Sequence, residues 1–131
     1  MNQRQTTWTA AAAGLAVACA LGCALLLGPS DAELGAIRAA LARPDALLLD
    51  VRSPEEHAER RLEGAVNVPV GELEGRLAEL GARERPVVVF CRSGFRSARA
   101  ASLLREAGFV DVHDLGGIAN GGAIPLEQAG P

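Results

Sequence analysis

Val87-Val88-Val89-Phe90-Cys91-Arg92-Ser93-Gly94-Phe95-Arg96-Ser97 is the stretch that decides the fold. Pro86 opens it, four apolar residues rich in β-branched side chains follow, and the run enters a polar loop at a cysteine. A continuous apolar run of this kind fits a strand buried on both faces, as in parallel sheets covered by helices. Downstream, Ala100, Ala101, Leu103 and Leu104 recur at helical spacing and Gly108 is placed to cap the end, so a helix is predicted from Ser97. Ligands of such sheets bind at the carboxyl ends of strands, and Cys91 sits at one.

The same alternation continues upstream. Residues 46–51, Ala-Leu-Leu-Leu-Asp-Val, read as a second buried strand. Ser53-Pro54-Glu55-Glu56 carries a capping signature with Pro at the first helical position, which predicts a short helix reaching about Arg60. Ala65-Val66-Asn67-Val68 is a strand stopped by Pro69, and Leu73, Leu77 and Leu80 mark one face of a further helix ending near Gly81. Ser30-Asp31-Ala32-Glu33 resembles a capping box, and Leu34, Ile37, Ala40 and Leu41 follow at helical spacing until Pro44, giving a helix over residues 31–43. Residues 109–115 supply a last strand before Gly116-Gly117. Helices alternating with apolar strands predict an α/β fold of three layers, a mostly parallel central sheet with helices on both faces.

The chain has 131 residues, of which 49% are hydrophobic and 22% charged, but the charge is unevenly spread. No charged residue lies between Arg4 and Asp31, so the 16 acidic residues and all but one of the 13 basic ones follow that gap, leaving residues 31–131 with a net charge of −4. That length suits one compact domain and excludes a multidomain enzyme. The acidic balance argues against nucleic-acid binding, which needs a basic face to replace counterions. All 13 positive side chains are Arg, which removes any Lys-based Schiff-base or P-loop chemistry.

Residues 1–30 form a leader. Its apolar stretch, residues 10–28, would be about 28 Å long as a helix, close to the roughly 30 Å of a bilayer core. An N-terminal hydrophobic helix preceding the domain is therefore expected, touching the membrane through residues 8–28 if it is retained. Ser30-Asp31-Ala32 also offers small residues for signal-peptidase cleavage, and Ala20-Leu21-Gly22-Cys23 is a weaker lipobox, so anchor, cleaved signal and lipoprotein all stay open. Arg4 on one side and Asp31 and Glu33 on the other place the domain outside the cytoplasm by the positive-inside rule, in the periplasm or at the cell surface. Cys19 and Cys23 belong to the leader, so Cys91 is alone in the domain and has no intradomain disulfide partner.

A tight turn between a strand and a helix start can direct successive backbone N–H groups inward as an anion nest, reinforced by the unpaired donors of the helix terminus. Gly94 supplies the freedom such a turn needs. The helix terminus contributes about 0.3–1 kcal/mol, and Arg92 and Arg96 add to it, enough to lower a thiol pKa from about 8.5 toward neutrality. Cys91 is then a nucleophilic thiolate matched to an anionic substrate. Phe95 is expected to wall the pocket in preference to standing on its lip.

These residues resemble a single-domain rhodanese (thiosulfate sulfurtransferase), extracytoplasmic in type. Asp50-Val51-Arg52-Ser53-Pro54-Glu55-Glu56, Glu63-Gly64-Ala65-Val66-Asn67-Val68-Pro69, Val89 through Ala98 and Leu115-Gly116-Gly117 occur in the family's order. The resemblance implies that Cys91 takes a sulfane sulfur as a persulfide and that the backbone of Arg92, Ser93, Gly94, Phe95, Arg96 and Ser97 cradles it. It also implies that Arg92 and Arg96 help hold an anionic donor such as thiosulfate, with cyanide or a thiol as acceptor. Asp50 and Arg52 match the first motif and are expected to support the site by pinning the strand end beneath the loop. Apart from the transient persulfide, no cofactor or metal is implied.

The chain departs from the family pattern where Arg60-Arg61-Leu62-Glu63 replaces Gly-His-Ile-Pro, where His57 replaces an aromatic, and where Trp is missing after Gly117. Those differences touch the rim and acceptor choice more than the sulfur chemistry. Tyrosine-phosphatase-type enzymes and arsenate reductases resemble the loop but place Arg six residues after Cys, whereas Arg96 is five after Cys91. The shorter ring suits a sulfane sulfur better than a tetrahedral oxyanion. A noncatalytic binding or redox-sensing module is the other alternative. His57 and His113 have no companion at metal-ligand spacing and read as solvated or packed.

Overall fold

Two serines and the apolar runs between them build the fold. In the computed structural model, which describes residues 28–124, α1 spans Asp31–Leu41, β1 Leu47–Asp50, α2 Pro54–Glu59, β2 Val66–Asn67, β3 Val87–Cys91, α3 Phe95–Glu106 and β4 Val112–Gly117. Two 3-10 segments, Leu73–Leu80 and Ile118–Ala123, complete the order. The expected leader helix, residues 10–28, lies outside the described residues except for Gly28, and residues 125–131 lie outside them too. Among the described residues no helix is long and apolar enough to cross a membrane.

Both capping boxes form. The Ser30 hydroxyl accepts the Glu33 N–H at 3.3 Å while Glu33 accepts the Ser30 N–H at 2.7 Å, and Ser53 and Glu56 repeat the exchange at 3.2 and 3.0 Å. α1 stops at Leu41 instead of Arg43 because a residue preceding Pro44 is driven out of the helical region.

The four strands are all parallel, in the order β2-β1-β3-β4. Strand parity divides the interior into two cores. Leu47, Leu49, Val87, Val89 and Cys91 face Ala100, Ala101 and Leu104 of α3 together with Leu73 and Leu80. Leu48, Val88 and Phe90 face Ile37, Ala40 and Leu41 of α1 together with Ile118. The sheet is therefore covered on both sides, which gives the three expected layers.

Three boundaries differ from expectation. Leu73–Leu80 is a 3-10 helix, since Gly75 lies inside it and Glu72 offers no side-chain cap. α3 begins at Phe95, two residues early, because Gly94 at φ +105° already turns the chain into the helix. β4 begins at Val112 because Phe109 is drawn back over α3, where its N–H donates to Leu104 O at 3.0 Å and Arg83 stacks 4.4 Å from its ring. A bulge between Val89 and Phe90 then lets Leu115 slip from register and sets Gly116 and Gly117 opposite Phe90 and Cys91.

Leu49 is fully buried and central, paired with Val66 on one side and Val89 on the other. Leu49→Ala is expected to lower the unfolding free energy by about 2–5 kcal/mol, read as a lower urea midpoint with an unchanged slope.

Candidate active site

The chain leaves β1 toward β2 on one side and returns to β3 on the other, so the ends of β1 and β3 flank the point where strand order reverses. A crevice opens at such a point. Asp50 ends β1 and Cys91 ends β3, and the register pairs Asp50 with Phe90. The two sequence blocks that carry chemistry are thereby made neighbours.

Cys91 is fully buried and is the free cysteine among the described residues. The Gly94 N–H points at its sulfur, 2.9 Å away. Gly94 is the N-cap of α3 and supplies no side chain to cap it, so the first N–H groups of the helix are left for whatever the loop encloses. Gly117 closes the loop from below. A Cβ there would lie 2.8 Å from the Arg92 carbonyl oxygen, so the contact between β4 and the loop admits only glycine without a shift.

Burial pushes the Cys91 thiol up, but the Ser97 hydroxyl and the N–H groups of Ser97, Gly94 and Ser93 pull it down further, and the thiol ends below its ordinary value. The buried Ser97 hydroxyl also reaches the carbonyls of Gly94 at 3.0 Å and Gly116 at 3.5 Å. Its single proton goes to one acceptor at a time, and a thiolate is the strongest of the three. The donors that lower the thiol are thus a hydroxyl and backbone N–H groups, in place of the Arg92 and Arg96 guanidinium groups expected from the sequence.

Arg96 is held elsewhere. Its guanidinium forms a two-pronged bond to Glu56 of α2, Nη1 to Oε2 at 2.6 Å and Nη2 to Oε1 at 2.9 Å. The Arg96 contacts, opposed by burial and joined by the Ser53 N–H, bring the Glu56 carboxyl down to about 2. Arg92 and Ser93 are exposed, and among the described residues no carboxylate lies within 4.0 Å of Arg92. Phe95, the first residue of α3, is 73% exposed, so it stands on the lip and does not wall the pocket.

Asp50 and Arg52 form a buried pair beneath the loop. Asp50 accepts the Arg52 N–H at 3.0 Å, Nε at 2.9 Å and Nη2 at 2.6 Å. His57 Nδ1 lies 2.9 Å from the second Asp50 oxygen. Burial raises the Asp50 carboxyl, but the Arg52 and His57 contacts outweigh it and hold it below the usual range. Sequence reasoning missed His57 and Asn67 as partners of Asp50, and Glu56 as the partner of Arg96. Asn67 donates to the carbonyls of Asp50 at 3.0 Å and Arg52 at 2.9 Å, and its place in the second motif block was the one available signal. Among the described residues no group of three or more His, Cys, Asp or Glu side chains is arranged to hold a metal ion.

Comparison with known proteins points to one family. The family model of the rhodanese-like domain matches residues 33–121. The thiosulfate sulfurtransferase PspE of Escherichia coli K12 is 34% identical over 71 residues, covering 53% of this chain and 68% of that protein. Human thiosulfate:glutathione sulfurtransferase is 34% identical over 105 residues, covering 70% and 91%. Among solved structures, the human single-domain sulfurtransferase superposes with a TM-score of 0.59 at 34% identity, covering 66% of this chain and 89% of that one. A rhodanese with anions from E. coli gives 0.55 at 32%, covering 57% and 89%.

The thiolate is the form that alkylates, so the rate of iodoacetamide modification rises with pH through the Cys91 pKa. Its midpoint is expected below that of an ordinary thiol, and Ser97→Ala is expected to move it up by removing the hydroxyl donor. A midpoint unmoved by Ser97→Ala contradicts this assignment of donors.

Proposed function

This chain belongs to the rhodanese-like family and is a sulfurtransferase, and we propose that it works by double displacement through a persulfide on Cys91. The observation that carries the proposal is the buried, solitary Cys91 sulfur at 2.9 Å from the Gly94 N–H, in a loop whose donors favour an anion.

In the first step the Cys91 thiolate attacks the outer sulfur of thiosulfate. A new S–S bond forms, the thiosulfate S–S bond breaks, and sulfite leaves with the bonding electron pair. The terminal sulfur of the resulting persulfide carries the negative charge, and the loop N–H groups and the Ser97 hydroxyl that favoured the thiolate can donate to it instead. In the second step cyanide or an acceptor thiolate attacks that terminal sulfur and takes it as thiocyanate or a new persulfide, returning Cys91 as thiolate. No general base is needed, because the nucleophile is already ionised and no proton moves in either displacement. Arg92, exposed beside the thiol, draws the dianionic donor to the mouth of the loop.

We infer further that the reaction takes place outside the cytoplasm, from the uncharged leader with Arg4 on one flank and Asp31 and Glu33 on the other. Intact mass of the chain from membrane and soluble fractions checks the fate of the leader, since cleavage after Ala32 removes residues 1–32.

Incubation of the purified protein with thiosulfate is expected to add the mass of one sulfur atom to the peptide containing Cys91, with sulfite released in equal amount. Subsequent cyanide should remove it as thiocyanate, and Cys91→Ala should abolish both steps. Absence of the adduct together with absence of sulfite rules out the mechanism.

A further inference from the structure

Glu56 lies outside the cysteine loop, in the first turn of a different helix, yet it takes both prongs of the Arg96 guanidinium. It is itself fixed. One oxygen accepts the Ser53 N–H at 3.0 Å, and its own N–H donates to the Ser53 hydroxyl at 3.2 Å, so the capping box sets where its carboxylate sits before Arg96 arrives. A bidentate carboxylate partner directs the guanidinium and cancels its charge. We propose that Glu56 is a positioning residue that withholds Arg96 from the anion cradle, leaving the sulfur donor to the loop N–H groups and Arg92.

Three further observations support this assignment. Both partners are partly shielded, with side-chain exposures of 37% for Arg96 and 23% for Glu56, which strengthens the pair relative to one in open water. The Glu56 carboxyl, at about 2, stays ionised throughout the range in which a thiolate exists. Arg96 lies in the first turn of α3, two residues after the Gly94 whose N–H is 2.9 Å from the Cys91 sulfur, so a change in its pairing acts on a helix start that faces the thiol. Asp50, buried with Arg52 and His57, is the other charged cluster near Arg96, and it is internally satisfied.

The chemical consequence concerns donor choice. A cradle that Arg96 does not enter binds through the loop N–H groups, with Arg92 at its mouth, and suits a single large sulfur. Releasing Arg96 adds a full positive charge and a planar fork, which favours oxyanions in the same pocket. Glu56 would thus tune which anions compete with thiosulfate. This donor half of the inference rests on the persulfide reading, whereas the effect on the thiol does not.

The test is a double-mutant cycle on the full chain, read by the pH profile of Cys91 alkylation and by thiosulfate KM. Glu56→Gln keeps the capping box, since Gln serves at the same position, but removes the charge that holds Arg96. Its alkylation midpoint is expected to fall by about half a pH unit, a threefold change in the thiolate ratio at fixed pH, and thiosulfate KM is expected to fall by about threefold with a smaller change in kcat. Arg96→Gln strands the Glu56 carboxylate and is expected to raise both quantities. The Glu56→Gln/Arg96→Gln double variant, which leaves neither charge unpaired, is expected to return both close to wild type. A double variant that matches Arg96→Gln alone overturns the proposal, because Arg96 would then act on the site independently of Glu56. An unchanged midpoint in Glu56→Gln also overturns it, and should that variant not fold, the double variant alone still decides. Midpoints that shift as expected in a protein that forms no persulfide would leave the pairing in place and refute the sulfur-transfer mechanism instead.

Discussion

A carboxylate with no exposure to solvent cannot be left unpaired, and Asp50 is such a group. Removing one partner from a buried charge pair typically costs about 3–5 kcal/mol, so the surroundings of Asp50 must deliver donors from every side. Each donor brings a segment of chain with it. Arg52 folds the loop after β1 back over the strand end, and its guanidinium goes on to the Arg60 carbonyl at 2.6 Å and lies 5.6 Å from the centre of the Phe90 ring. His57 fixes α2, and Asn67 ties β2 to the backbone on either side of Val51. Once α2 is fixed, Glu56 is in reach of Arg96, and the cysteine loop gains an attachment on its far side.

The thiol itself rests on a contest between two effects of the same burial. Withdrawal from water disfavours the thiolate, while the enclosed loop brings hydrogen-bond donors close enough to favour it. The donors prevail because a helix start with a glycine N-cap has N–H groups to offer and no side chain to occupy them. Gly117 lets β4 come close enough to hold that loop from beneath, and the β-bulge is what sets it opposite Cys91.

Much of this was legible in the sequence because it depends on neighbours along the chain. The two capping boxes, the apolar runs of β1 and β3, and the strand-to-helix turn at Cys91 all follow from short-range chemistry, and the ordered motif blocks identified the family. The 3-10 segment at Leu73–Leu80 is not legible as such, because Leu73, Leu77 and Leu80 recur at α-helical spacing, and Gly75 with an absent cap tips the balance against the α-helix. Phe109 reads as the start of a strand until α3 is present to receive it. In the sequence Glu56 reads as a capping residue and His57 as solvated or packed. Their roles arise only when Asp50 and Arg96, distant in space from one another in the unfolded chain, are brought to the same edge of the sheet. Phe95 was misjudged for a related reason: residues of the cradle present their backbone inward, which turns an intervening side chain outward.

Adjacent residues of β3 belong to different interiors. Phe90 packs among the α1-side residues, and Cys91, one peptide bond later, closes the α3-side cluster. Changes of side-chain volume therefore act on two separate interiors across one sheet. Drift in the volumes of Ile37, Leu48 or Leu115 is absorbed in a compartment that does not contain the sulfur, while change in Ala100, Ala101 or Leu104 alters the bed on which the reactive loop lies. Stability is in this way set in part by a compartment apart from the thiol, with the backbone hydrogen bonds of a four-stranded sheet as the partition between the two.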